Sequence, residues 1–350
     1  MRSRSPHHAR DAYFDNLKFI LMLLVVAGHF LLPLEKTRFT YNIRCLIYAF
    51  HMPCFAFVSG YFSKGMYRDR SFRTDRLLQL LWLYLVFKVL AHFTEGLAGG
   101  SIGPAIDFFH ESGAPWYLLA LALWYLTIPA VIELSPAAVL ALSLGISLLA
   151  GYQNSLDDFL AMDRVIAFAP FFYAGFFARE QDKKRFFCWK PRFVLLGTGI
   201  LLAAVILLGA YDYLYPYYKI IYGSRYQLLG EGLYPYGALI RFFWYLTASV
   251  LSFSLMVLVP KKRYFFTDYG RRTLQIYILH RLLRDLMQYF GFFERINVHS
   301  RRSVTVLLLL AVPVVFLLGN PAITAVFDAV QSVPSLLFRA GPCSAREKQE

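Results

Sequence analysis

Apolar residues along this chain come in long runs, broken by short polar segments. Runs long enough to cross a bilayer need about 17–25 residues, with allowance for tilt. They fall at 17–34, 45–62, 76–93, 116–132, 136–152, 164–178, 193–210, 239–259, 272–291 and 303–319. This pattern predicts an all-α, polytopic membrane protein of about ten transmembrane helices. The fourth and fifth runs are joined by a tight turn at 133–136, and the sixth is short. On this division residues 1–16 are a cytoplasmic N-terminal segment, 17–319 a single membrane domain and 320–350 a C-terminal tail. No strong internal repeat and no low-complexity linker divides the chain.

Composition agrees with the pattern. The chain is 58% hydrophobic and 17% charged, against about 25% charged in soluble domains, and its mean hydropathy is +0.47. A net charge of +14 would suggest nucleic acid in a soluble protein. Here the retention of Lys and Arg on the cytoplasmic side of a membrane explains it, and no nucleic-acid partner is expected. With the N-terminus inside, 23 Lys and Arg fall on inner segments and 10 on outer ones, which places both termini in the cytoplasm. The four cysteines are scattered, with neither disulfide-framework nor metal-site spacing. The basic N-terminus leads into an apolar run without a small-residue cleavage site, so it reads as a retained first helix. Of the two longest outer segments, 94–115 is Gly-rich and acidic. The other, 211–238, holds nine tyrosines, which either pack on sugar rings or anchor the segment at the interface.

The first helix carries the strongest chemical signal. Lys18 and His29 are eleven residues apart. At 100° per residue that is about three full turns, so they share a face, and Asp11 and Asp15 fall on it too. An ionisable group at mid-bilayer costs about 2.5–3.5 kcal/mol on insertion scales, so this stripe marks the spine of an active site. Lys18 sits near the inner face. His29 is about 16 Å further along at 1.5 Å per residue, where imidazole serves as a general base near neutral pH.

Other segments allow two readings. His51 precedes Pro53, which removes a backbone donor, and Ser59-Gly60 forms a small polar notch. This second helix is either the wall of a cavity beside His29 or a kinked packing helix. Arg76 opens the third helix and Arg164 the sixth; each is an interfacial anchor or a ligand, Arg76 for donor phosphates and Arg164 for an acceptor. In the ninth helix Tyr277, His280 and Arg284 recur at spacings of three and four on one side, with Arg281 and Asp285 beside them. His280 to Asp285 also matches the HxxxxD string of soluble glycerolipid acyltransferases. On a helix, however, those two side chains diverge by about 140°.

Several blocks together resemble one family. They are RDAYFDNLK through GHF in the first helix, FHMPCFAFVSGYF in the second, RLLQL in the third, LALWYL in the fourth, RVIAFAPFFYAGFF in the sixth and LQIYILH in the ninth. With them the chain resembles the acyltransferase-3 family of integral membrane O-acyltransferases, in particular the branch similar to fucose 4-O-acetylases. The likeness covers essentially the whole chain in family order, and the first two blocks are its specific part. It implies a ten-helix bundle that moves an acyl group, usually acetyl from acetyl-CoA, onto hydroxyls of envelope or extracytoplasmic carbohydrates. The family's basic residue, ten intervening residues and histidine are matched by Lys18 and His29, with Arg10 and Asp15 at the basic and acidic positions before them. His51, Met52, Pro53, Ser59 and Gly60 match the second-helix pairs. Arg76 matches the third-helix arginine, although Leu80 replaces the proline that often follows it.

The resemblance implies acetyl-CoA as a co-substrate and no bound cofactor or metal. On this reading His29, Asp15 and Lys18 form the catalytic stripe. Arg10, Arg73, Arg76 and Ser59 lie along the donor path, and His51, Arg164, Tyr277 and His280 meet a carbohydrate or glycolipid acceptor. The remaining partner is membrane lipid, in a bacterial cytoplasmic membrane. Transfer is expected to be direct, since no base adjoins Ser59 in sequence. The alternative is a transporter of a small or sugar-like solute, which buried charges and helix-breaking prolines would also suit.

Overall fold

A computed structural model describes residues 11–339, apart from 69, 104, 112, 156 and 157. It is almost wholly helical. Helices α1 (Ala12–Phe30), α2 (Arg38–Phe62) and α3 (Thr74–Ala98) are followed by α4 (Trp116–Val131), α5 (Pro136–Ala150) and α6 (Met162–Phe177). After α7 (Glu180–Cys188) come α8 (Arg192–Gly209), α9 (Gly237–Leu258), α10 (Thr273–Tyr289), α11 (Arg301–Leu318) and α12 (Pro321–Arg339). A two-stranded hairpin, β1 (Tyr67–Arg68) with β2 (Ser71–Phe72), links α2 to α3.

Among the described residues, six helical stretches are long and apolar enough to cross a membrane: 12–30, 38–66, 74–98, 192–222, 234–258 and 301–318. Helices α4 and α5 are shorter apolar helices. The expected sixth and ninth spans form as α6 and α10, but neither meets that test. α6 has 16 residues and opens on Asp163 and Arg164, while α10 has 17 and buries Gln275, His280, Arg281, Arg284 and Asp285. The segment after 319, expected as a tail, forms α12, and the indole of Trp82 on α3 donates to the carbonyl of Val330 at 2.9 Å.

α1 is the enclosed element. Of its most apolar stretch 72% is buried, against 17% for the span that holds α8, where Ile200, Leu201, Val205, Leu207 and Leu208 are exposed. Lipid tails are as apolar as Leu, so close packing and polar contacts hold such a bundle rather than water exclusion. Around α1 pack α2, α10, α11 and the turn at 267–271. Asn16 pins the loop between α9 and α10 to it: its amide donates to the carbonyls of Pro260 (2.9 Å) and Lys262 (2.8 Å), and its oxygen accepts from Thr267 at 2.6 Å. The α2–α6 crossing is the tightest. A Cβ at Gly60 would stand 1.9 Å from the Phe172 carbonyl oxygen, and one at Gly175 would stand 1.8 Å from that of Phe57. Only glycine allows these backbones to touch.

Candidate active site

The α1 stripe lines two cavities. Asp11, Asp15, Lys18, Met22 and Val25 face a cavity of about 550 Å³ at the end where α1, α3 and α10 begin. Val25, His29 and Leu32 face a second, of about 380 Å³, at the opposite end. Alternate steps of four and three residues keep this row on one helix face. Val25, Met52 and Tyr277 line both cavities, so the two meet there.

The first cavity is polar at its mouth and apolar inside. The Lys18 ammonium lies 2.7 Å from Asp15, and Arg271 approaches the other oxygen of that carboxylate at 3.3 Å. Arg76 is on the wall, and Met52, Phe55, Val58, Leu80 and Leu83 make the interior. Ser59 also faces in, its hydroxyl paired with that of Tyr117 at 2.8 Å. No histidine bonds to Ser59 among the described residues.

Two imidazoles, His29 and His51, line the second cavity, and a third, His280, is buried behind His29. Nδ1 of His280 is 2.9 Å from the carbonyl of Ile276, one turn back on α10. A carbonyl only accepts, so this nitrogen carries the proton. In a neutral His280 ring, Nε2 is then an acceptor. That atom lies 2.8 Å from Nδ1 of His29, so His29 donates from Nδ1 and keeps its lone pair on Nε2. Nδ1 of His51 is 2.7 Å from the carbonyl of Ile47, which by the same reasoning leaves its Nε2 as an acceptor. Tyr48 is also in the wall, and its buried hydroxyl has no hydrogen-bond partner among the described residues.

Charged groups surround this cavity in two bonded clusters. Arg164 donates to the carbonyl of Glu111 (2.5 Å) and to Asp158 (2.8 Å), and its guanidinium lies over Trp116. The Glu111 carboxylate is bonded by Lys88 at 2.8 Å. Burial pushes the Glu111 carboxyl above its ordinary range, and the Lys88 ammonium holds it back. Arg281 pairs with Asp285 and Glu95, and Arg284 pairs with Asp285 at 2.6 Å. From the 210–236 segment come Lys219, Tyr222, Ser224 and Arg225, which close one side.

A family model described as an acyltransferase domain matches residues 11–320. The chain belongs to the acyltransferase-3 family. Nodulation protein NolL of Sinorhizobium fredii (strain NBRC 101917 / NGR234) is 38% identical over 130 residues, 32% of this chain and 34% of that protein. The chain thus matches 34% of the length of this relative. No solved structure matches.

Within this acyltransferase-3 chain the structure sorts the residues singled out from sequence. Asp15, Lys18, Arg76 and Ser59 meet at the first cavity, and His29, His51 and Arg164 at the second; Tyr277 stands between. Lys18 is about three turns, or roughly 16 Å, from His29, and Asp15 about four turns, or roughly 21 Å, so they face the first cavity and not the imidazole. Arg73 is in neither wall. It precedes α3 and clamps Asp75 through two bonds of 2.8 and 2.6 Å, exposed to solvent. His280 is fully buried behind His29 instead of facing an acceptor. Asp285 pairs with arginines on another side of α10, so the HxxxxD string forms no dyad. Arg10 lies outside the described residues. Sequence reasoning did not single out Lys219, Arg225, Asp158 or Asp163 as site residues. All but Asp163 arrive from loops, where no periodicity announces a shared wall.

Proposed function

We propose that this protein is an O-acetyltransferase of a bacterial cytoplasmic membrane, with ten spans and both termini inside. It moves acetyl from acetyl-CoA to a hydroxyl of a cell-envelope, exported or lipid-linked carbohydrate. One observation carries the reading: a single helix face runs from an ion-paired end in one cavity to a histidine in another. A reaction between a cytoplasmic thioester and an outer hydroxyl needs that arrangement. Lys18 and Arg76 offer cations to the phosphates of the donor, and the apolar interior of the first cavity suits its slender pantetheine arm. Trp116, Tyr222 and the Tyr48 hydroxyl, which has no partner among the described residues, suit a sugar.

In the mechanism the acceptor hydroxyl bonds to Nε2 of His29. That nitrogen takes the proton as the oxygen attacks the thioester carbonyl. The C–S bond then breaks, and the departing CoA sulfur receives the proton from His29. His280 touches neither substrate; it is a positioning residue that fixes which His29 nitrogen is free. Arg164 and His51 orient the acceptor.

The test is acetyl-CoA consumption by the purified protein in lipid vesicles, with envelope glycolipid added or omitted. Acceptor-dependent release of CoA thiol, matched by new O-acetyl esters in the mass spectrum, is expected. Movement of a sugar across the vesicle with no thioester consumed would make the protein a carrier.

A further inference from the structure

We infer that Val25 and Met52, facing Tyr277 where the two cavities meet, limit the transferred acyl group to two or three carbons. The inference rests on the acyl-transfer reading above and adds its donor specificity. The reacting hydroxyl must lie about 3 Å from the His29 nitrogen that takes its proton. The thioester carbon must lie about 3–3.5 Å from that hydroxyl. Both conditions put the carbonyl within about 6.5 Å of His29. Val25 is four residues earlier on the same face, about 6 Å along the axis, so the carbonyl stands at its level.

There the alkyl tail has little room. The sulfur and pantetheine fill the first cavity, and the acceptor fills the second. The tail must lie against the junction itself, which is lined by three buried side chains: Val25 is 2% exposed, Met52 9% and Tyr277 7%. Tyr277 has no freedom to swing away. Its hydroxyl donates to the carbonyl of Ala114, and its ring packs edge-on against Phe87 at 5.9 Å and Tyr117 at 6.1 Å. Met52 sits between His51, whose ring is tied to Ile47, and Pro53. A methyl fits such a junction; a propyl tail displaces a packed side chain.

One methylene too many in a tight apolar pocket shifts discrimination by about 10- to 200-fold. The assay is CoA thiol release by the purified full chain in lipid nanodiscs, with acetyl-, propionyl- or butyryl-CoA. Envelope glycolipid serves as acceptor, and the slow release to water is read without it. The wild type should use butyryl-CoA at least about 100-fold less well than acetyl-CoA. Val25→Ala and Met52→Ala should each raise the butyryl-to-acetyl ratio by about 10-fold or more. Val25→Ile, which keeps the junction filled, should lower the propionyl-to-acetyl ratio and serves if the smaller variants do not fold. Equal use of acetyl and butyryl by the wild type, or an unchanged ratio in all three variants, overturns the inference and leaves acyl transfer standing. No thiol release with any donor overturns both.

Discussion

Replacing His280 separates a positioning role from an acceptor-binding one. In the wild type its Nδ1–H goes to Ile276 at 2.9 Å, and its Nε2 accepts from His29 at 2.8 Å. His280→Leu removes the acceptor, so a His29 that keeps the productive tautomer buries an unsatisfied N–H. That costs about 1–3 kcal/mol, which corresponds to a fall in kcat of about 5- to 150-fold. Loss of the productive tautomer itself is costlier: an orienting partner removed from a serine-protease histidine lowers kcat about 10⁴-fold. The expected fall therefore lies between these bounds. His280→Gln offers a side-chain carbonyl to the same His29 proton and should restore part of the rate. The assay is acetyl transfer over a matrix of donor and acceptor concentrations, with the ¹⁵N spectrum of labelled histidine reporting the tautomer. Both KM values should stay near wild type while kcat falls. A change confined to the acceptor KM, or equal rates for the Leu and Gln variants, would refute the reasoning and make His280 a substrate contact or a mere packing residue.

Arg76→Ala removes a cation from the wall of the first cavity; a lost charged hydrogen bond of about 1.5–3 kcal/mol should raise KM for acetyl-CoA roughly 10- to 150-fold and leave the acceptor KM unchanged in steady-state kinetics. Arg241 is 1% exposed, bonds the carbonyls of Ser147, Gly223 and Ser224, and stacks on Tyr226. Arg241→Ala should therefore destabilise the fold by about 3 kcal/mol or more, seen as a lowered Tm in detergent. Lys88→Met leaves the buried Glu111 carboxylate without its ammonium, at a cost of about 3–5 kcal/mol for an unpaired buried charge. The folded-state value of Glu111 is already raised by burial and rises further in this variant, so folding then favours the protonated form. Its Tm deficit should be large at neutral pH and shrink as pH falls through that raised value; a deficit independent of pH would count against the pairing.

The α1 stripe was legible because two constraints coincide: the helical period fixes which residues share a face, and the bilayer penalises every ionisable group on it. Asp11, Asp15, Lys18 and His29 therefore announced a common wall before any contact was known. The position of His280 was only half legible. A step of three residues turns a helix by about 300°, which leaves His280 roughly 60° from Tyr277. That offset is enough to put Tyr277 and Arg284 in the cavity wall and His280 behind His29. The role of Arg73 was hidden because Asp75, two residues on, captures its guanidinium at the start of α3. Helix α12 was missed because Asp328, Gln331 and Pro334 interrupt its apolar pattern, and packing on α3 is not a sequence property. Lys219 and Arg225 were unreadable as site residues because the fold of the 210–236 segment brings them to the cavity.

The central claim is that His29 removes the acceptor proton in the second cavity, beside its junction with the first. Single-turnover acetyl transfer by His29→Ala, in protein shown to be folded and to bind acetyl-CoA with wild-type affinity, tests it most directly. The account predicts that the chemical step falls by about 10²–10⁴-fold, the usual contribution of a general base, with donor binding intact. A wild-type rate in that variant would contradict it.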